Sequence, residues 1–153
     1  MAYIQEIRSL VGHRPLILTS ASGALFNDQG AVLLQERADT GDWSFPGGYM
    51  EYGETFAQTA AREVKEDAGI AVTPVKLLGM FDHDFYTYPN GDRVQPVNAF
   101  YLVKRTGEKT QQPKPSETVR LQYFALNQPP RFFSHQQLKM WTTLQKFVAK
   151  RES

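Results

Sequence analysis

Between Gly48 and Ile70 the chain reads GYMEYGETFAQTAAREVKEDAGI, and three carboxylates, Glu63, Glu66 and Asp67, recur there at helical spacing. At about 100° per residue from Phe56, the apolar residues Phe56, Ala57, Ala60, Ala61, Val64 and Ala68 fill an arc from 0° to about 140°, while Glu66, Glu63 and Asp67 fall at about 280°, 340° and 20°. The acids thus line one edge of the stripe that must face the core, and Asp67 lies inside it. Like charges at these spacings cost roughly 0.2–0.5 kcal/mol per pair, and the C-terminal half of a helix disfavours negative charge further. Arg62 and Lys65 point elsewhere on the wheel and compensate only in part. A solvated acidic face would not share its edge with Phe56 and Ala60. A divalent cation bound by oxygen ligands offsets the repulsion, and Mg²⁺ typically takes a few carboxylates together with substrate phosphates. The chain has no cysteine, which removes disulfide scaffolds, thiolate zinc sites, Cys nucleophiles and CxxC redox chemistry together. Arg37, just before a Gly- and Pro-rich stretch, is a further candidate, because a guanidinium suits phosphate oxygens.

The same residues carry a resemblance. Gly48, Glu54 and the run Arg62-Glu63-Val64-Lys65-Glu66-Asp67-Ala68-Gly69-Ile70 stand at the spacings of the 23-residue Nudix box, the signature of the Nudix hydrolase superfamily. One position departs, Asp67 standing for the second acid of the usual Glu-Glu pair. Upstream, Trp43-Ser44-Phe45-Pro46-Gly47-Gly48 also resembles the family's approach to the box. The resemblance implies an α/β fold, the Nudix-type α/β/α sandwich with a mixed β-sheet. It implies a MutT-like hydrolase of phosphoric anhydrides that uses Mg²⁺ or Mn²⁺ to cleave the pyrophosphate linkage of a nucleoside diphosphate joined to another moiety. The substrate would be a small nucleotide: a dNTP, ADP-ribose, a dinucleoside polyphosphate or a sugar nucleotide.

Carried over residue by residue, the resemblance implies Glu63, Glu66 and Asp67 as metal holders, with Glu63 also orienting or activating the attacking water. Glu66 and Arg62 join Glu63 in the catalytic set, and Arg62 is expected to pair with Glu54. Gly47 and Gly48 would turn the backbone beside the metal loop and approach substrate, and Gly69 closes the motif helix. Glu117, in a late Pro-rich loop, is a candidate for a further metal-ligating carboxylate. Tyr86 lies sixteen residues after Ile70, a distance at which a family tyrosine goes with diadenosine polyphosphates. The proline that goes with ADP-ribose at that distance is absent. The contrasting reading is a catalytically silent Nudix-like sensor that binds a nucleotide without turning it over; the retained repulsive acids argue against it.

The elements that must position these residues follow from pattern. Thr55 with Gln58 three residues on is a capping-box pattern, and Gly69 suits the position past a helix end, so a helix is expected from Thr55 to Gly69. A short amphipathic helix fits Ala2 to Val11, closed by Gly12. Leu16 to Phe26 and Ala31 to Glu36 flank Asn27-Asp28-Gln29-Gly30 and predict a β-hairpin, and Arg37 to Gly48 reads as loop. Val72 to Tyr88 and Arg93 to Lys104 predict strands around Pro89-Asn90-Gly91-Asp92, with His83 on the first of them. Gly107 to Ser116 reads as loop and Thr118 to Leu126 as strand. A last helix, Ser134 to Lys150, has Ser134 as N-cap and places Leu138, Trp141, Leu144, Phe147 and Val148 on one stripe. His13 and His135 fall at helix ends, and Trp43, Phe45, Phe81 and Phe85 suit the core or a stacked base.

Composition sets the frame. A chain of 153 residues is expected to form one domain over 1–153. Hydrophobic residues at 41% and charged ones at 22% are those of a folded soluble domain. A net charge of +1 is too small for the positive field that phosphate-backbone binding needs, which disfavours duplex nucleic acid and RNA 5′-end processing. The first ten residues carry Glu6 and Arg8 and so lack the apolar run of a secretory signal. The longest apolar run, Ala99 to Val103, is five residues, where a membrane span needs about twenty. A cytoplasmic protein without a membrane partner is expected, and a homodimer is open to it because an apolar strand edge can be buried by a partner.

Overall fold

The computed structural model describes residues 2–109 and 118–152. In chain order the elements are α1 (Tyr3–Val11), β1 (Leu16–Leu25), β2 (Val32–Arg37), β3 (Trp43–Ser44), β4 (Gly47–Tyr49), α2 (Phe56–Ala68), β5 (Ile70–Phe81), β6 (Tyr86–Thr87), β7 (Arg93–Lys109), β8 (Thr118–Phe124) and α3 (His135–Glu152). They form two sheets. The larger is mixed, in the order β4-β1-β7-β5 with β6 paired to β7, and the smaller is antiparallel, β3-β2-β8. β1 runs parallel to β7 from Leu16 opposite Val94 to Leu25 opposite Val103, and antiparallel to β4 on its other edge.

α2 forms where the capping residues say it should. The Thr55 side chain accepts from the Gln58 N–H at 3.1 Å, and the Gln58 side chain accepts from the Thr55 N–H at 2.9 Å. Gly69 then closes the helix in the left-handed region at φ 72°, which costs a glycine nothing. The face that α2 buries is Thr59, Ala60, Glu63, Val64, Asp67 and Ala68. That face is rotated toward the acids relative to the purely apolar stripe, so Glu63 and Asp67 are inside the contact with the sheet and not on its rim. Beneath it, Val64 and Ala68 pack with Leu25, Leu33, Ile70 and Val103, and Ala60 meets Ala21 and Ala99. Three alanines there let helix and strands approach closely. On the other side of the molecule α3 presents Met140, Trp141 and Leu144 to Ala24, Val32, Leu34, Trp43, Phe45 and Phe100.

Five local expectations need correction. β1 and β2 are not a hairpin pair. The turn at Asn27 forms, with its Oδ1 accepting from the N–H groups of Gln29 and Ala31 at 3.0 and 2.9 Å. Both edges of β1 are then taken by β4 and β7, so β2 turns into the second sheet and only the Phe26–Val32 bridge remains. The 37–48 stretch is not all loop, because β3 and the start of β4 add short strands to the edges of β2 and β1. The strand expected from Val72 to Tyr88 breaks over 82–85, leaving His83 exposed between β5 and β6. Leu138 is exposed, since α3 turns Gln137, Met140, Trp141 and Leu144 inward instead. β7 continues through Gly107 to Lys109, and the rest of the expected loop lies outside the described residues.

Candidate active site

The site grows from the contact of α2 with the Gly47–Gly48 turn. Gly48 lies so close to Glu63 that a Cβ there would stand 2.5 Å from the carboxylate carbon, and a Cβ on Gly47 would collide with Ser22 and the Ala21 carbonyl. Only glycine lets the backbone run between β1 and the acidic face of the helix.

Arg62 organises the acids around it. Its Nε and Nη2 donate to the two oxygens of Glu54 at 2.6 and 2.9 Å, and Nη2 also donates to the Tyr49 carbonyl at 3.0 Å. Nη1 donates to Glu63 at 2.8 Å and to Glu66 at 3.2 Å. A lysine has no such planar fork and could not serve all four acceptors. Glu54 also accepts from the Glu51 N–H and the Thr59 hydroxyl. The Arg62 hydrogen bonds hold the Glu54 carboxyl down to about 2, and Glu54 in turn raises the Arg62 guanidinium above its ordinary value. Asp67 sits deeper, 1% exposed, where its Oδ2 accepts from the Gly47 N–H and from Gln35 Nε2, both at 3.0 Å. Gln35 is held in its turn by the Thr118 hydroxyl at 2.6 Å.

These groups face an open groove of about 670 Å³ lined by Gly47, Gly48, Glu63, Glu66, Asp67 and Arg37. Ala2, which precedes α1, and Ile4 and Gln5 of α1 also line it. The helix is tied there by Arg8, which donates to the carbonyls of Gly12, Arg14 and Arg93, and by the Tyr3 N–H on Glu51. Among the described residues no three acids or imidazoles already converge as a metal cage. Glu63 and Glu66 are turned onto Arg62, and Asp67 onto Gly47 and Gln35. The donor set nevertheless fits a hard divalent cation: carboxylate oxygens of Glu63 and Glu66 share one groove and already share one positive charge, that of Arg62.

A second, smaller cavity of about 80 Å³ adjoins the groove, and the two share Arg37, Gly47, Gly48, Tyr49 and Tyr88. Its walls include Phe45, Tyr86 and Phe133, and its lining includes Ser44, Asn98 and Gln137. Ser44 is 1% exposed, and its hydroxyl has no hydrogen-bond partner among the described residues. Arg37 stands at the junction, bidentate to Asp39 at 2.9 and 2.7 Å, with its guanidinium 4.3 Å from the Phe133 ring centre. The Tyr49 and Tyr88 hydroxyls meet at 2.6 Å, and burial raises both phenols above their ordinary value, so both are protonated at neutral pH.

Of the residues singled out from sequence, Glu63, Glu66, Asp67, Arg62, Arg37, Gly47 and Gly48 therefore line one groove. Tyr86 lines the aromatic cavity instead, Gly69 ends α2, and Glu117 lies outside the described residues. Sequence reasoning missed Gln35, Ser44, Asn98 and Phe133. A polar residue inside an otherwise apolar strand, as in Leu33-Leu34-Gln35, is the signal that marks the first of them.

A model of the NUDIX domain matches residues 17–150. The chain belongs to the NUDIX domain family. In sequence it is 40% identical over 67 residues to a MutT-like protein of Streptomyces ambofaciens, an alignment covering 44% of each chain. It is 49% identical over 45 residues to the 8-oxo-dGTP diphosphatase of Proteus vulgaris, covering 29% of this chain and 40% of that one. The matches thus span less than half the length of these relatives. In structure it resembles the MutT NUDIX hydrolase from Burkholderia pseudomallei, with a TM-score of 0.68 and 26% identity over 84% of this chain and 98% of that one. No described helix is long and apolar enough to cross a membrane.

Proposed function

We propose that this NUDIX protein hydrolyses the pyrophosphate linkage of a nucleoside diphosphate joined to another group, with Mg²⁺ or Mn²⁺ as cofactor. The observation that carries the reading is the groove in which Glu63 and Glu66 stand beside the Gly47–Gly48 turn, opening onto an aromatic cavity through Arg37. Glu63 and Glu66 would hold the metal, which when bound supplies charge neutralisation of the pyrophosphate oxygens and lowers the proton affinity of water.

The chain's own residues do the rest. Glu63, packed on Gly48, is placed to take a proton from the attacking water. Arg62 keeps the two glutamates in register by holding both while it is anchored on Glu54. Arg37 offers a guanidinium to a phosphate oxygen where groove and cavity meet, with its ring partner Phe133 stiffening it. The aromatic walls around Ser44 suit a flat base whose phosphates cross Arg37 into the groove. A relative named for action on 8-oxo-dGTP supports this class of substrate.

The test is release of phosphate or nucleotide from a panel of dNTPs, ADP-ribose, diadenosine polyphosphates and sugar nucleotides. Turnover of at least one member is expected with Mg²⁺, none with EDTA, and none by the Glu63→Gln variant at an unchanged thermal midpoint. Nucleotide binding without turnover of any member would instead identify the silent sensor.

A further inference from the structure

α1 has no buried residue and belongs to none of the apolar clusters, and it lies before residue 17, where the match to the NUDIX domain begins. It is nevertheless fixed at both ends. Near its start the Tyr3 N–H donates to the two Glu51 oxygens at 3.0 and 3.4 Å. Near its end Arg8 donates to the carbonyls of Gly12, Arg14 and Arg93 at 3.0, 2.6 and 2.7 Å and pairs with Asp92 at 3.6 Å. The helix therefore spans from the entry segment of α2 to the turn at 88–92, whose Asp92 also meets His13 at 2.7 Å. A surface helix is ordinarily held by an apolar stripe packed on the core. This one is tied down by hydrogen bonds, and its Ile4 and Gln5, with Ala2 just before it, line the groove.

In the proposed hydrolysis the base has the aromatic cavity and the pyrophosphate has the acids of α2. What remains of the groove beside α1 is lined by Ala2, Ile4, Gln5, Glu51, Asn90 and Asp92. Its polar groups are carboxylates, which only accept hydrogen bonds, and amides, which donate and accept. Among the described residues lining the groove the only cations are Arg37 and Arg62. Arg37 stands on Asp39 at the mouth of the aromatic cavity, and Arg62 is shared by Glu54, Glu63 and Glu66. Arg8 is turned onto its three carbonyls. A further phosphate beside α1 would meet Glu51 and Asp92, a like-charge contact that rejects it, whereas the hydroxyls of a sugar donate to carboxylates and exchange hydrogen bonds with amides.

We propose that the part of the groove beside α1 is the subsite for the group beyond the pyrophosphate, and that it takes an uncharged polyol, a sugar, in preference to further phosphates. The proposal rests on reading the groove as the hydrolytic site, and it narrows that reading to sugar-bearing nucleoside diphosphates. Gln5, exposed on α1, offers its amide to the sugar hydroxyls, and the Arg8 ties hold the helix where that amide borders the groove.

The test compares, on the full chain, substrates that share a nucleotide half: ADP-ribose, UDP-glucose and GDP-mannose against ATP, UTP and GTP, with diadenosine tetraphosphate as a further partner of ADP-ribose. At least one sugar nucleotide should exceed its phosphate-bearing partners in kcat/KM with Mg²⁺ by about fivefold or more. Gln5→Lys, at an exposed position, puts an ammonium where a further phosphate would lie and should shrink that ratio by about threefold, the scale of one exposed ion pair. Arg8→Ala, which unties α1 from Gly12, Arg14 and Arg93, should shrink it at least as far, through a raised KM for the sugar nucleotide. A ratio under about fivefold, or one that Gln5→Lys leaves unmoved, overturns the proposal, as does an Arg8→Ala variant that slows both classes alike. Should Arg8→Ala not fold, Gln5→Lys decides alone. If no member is turned over, the hydrolytic reading fails, and the same ratios in dissociation constant, measured by isothermal titration calorimetry with Mg²⁺ present, decide the subsite. Binding of no member overturns both.

Discussion

Glu54 shows how one residue's environment becomes a measurable property of the whole chain. Its carboxyl is held down to about 2 by the Arg62 fork, against an ordinary value of 4.5. A depressed folded value means that the stabilisation is complete above the ordinary value and is lost as pH falls through the folded one. The pair should therefore contribute fully above about pH 5 and be lost between about pH 4.5 and 2. Urea midpoints measured across that window should fall less steeply for Glu54→Gln than for the unsubstituted protein; parallel acid limbs would show that the ion pair does not set them. At this scale much was legible beforehand. The Glu54–Arg62 pair was implied by the resemblance, whereas the reach of Arg62 to Glu63 and Glu66 was not, since its place on the wheel points it elsewhere and only its long side chain brings the guanidinium back to them. Gln35 was not legible, because its partners come from other elements: it meets Asp67 from 32 positions away and Thr118 from 83.

At the scale of elements, α2 carries most of the site, and its boundaries rest on local chemistry. The reciprocal Thr55–Gln58 cap satisfies two backbone N–H donors at its start, with the Thr55 and Gln58 side chains accepting. Thr55→Ala should cost about 1 kcal/mol, lowering the thermal midpoint by about 3 °C in a chain of this size. Differential scanning calorimetry reads this directly, and an unchanged midpoint would mean that packing alone fixes the helix start. The strands were read less well. Alternation and turn residues correctly marked β1, β2 and the tight turn at Asn27, yet pairing is decided by which edges are vacant. β1 has none once β4 and β7 have bound it.

At the scale of the whole molecule, the two sheets, α2 and α3 should unfold as one cooperative unit, as we propose for a single domain. A metal that binds only the folded state adds stability by mass action, about 2.7 kcal/mol at one hundred times its dissociation constant. Mg²⁺ or Mn²⁺ at that concentration should raise the midpoint by about 5–10 °C, and a midpoint insensitive to both ions would argue against a metal groove. The groove itself is a product of assembly: Gly48 from β4, Glu63 and Glu66 from α2, Arg37 from β2 and a wall from α1. The sequence by itself determined the acidic helix, its caps, the glycine pair before it and the family, because all of these depend on residues close together in the chain. Only the tertiary structure decided that the buried face of α2 extends to Glu63, that Asp67 is bonded to Gln35 and Gly47, and that Arg37 joins an aromatic cavity to the acids. Those outcomes depend on how far a helix rotates as it packs on a sheet and on which strand edge is left to accept a partner, and neither is encoded by spacing along the chain.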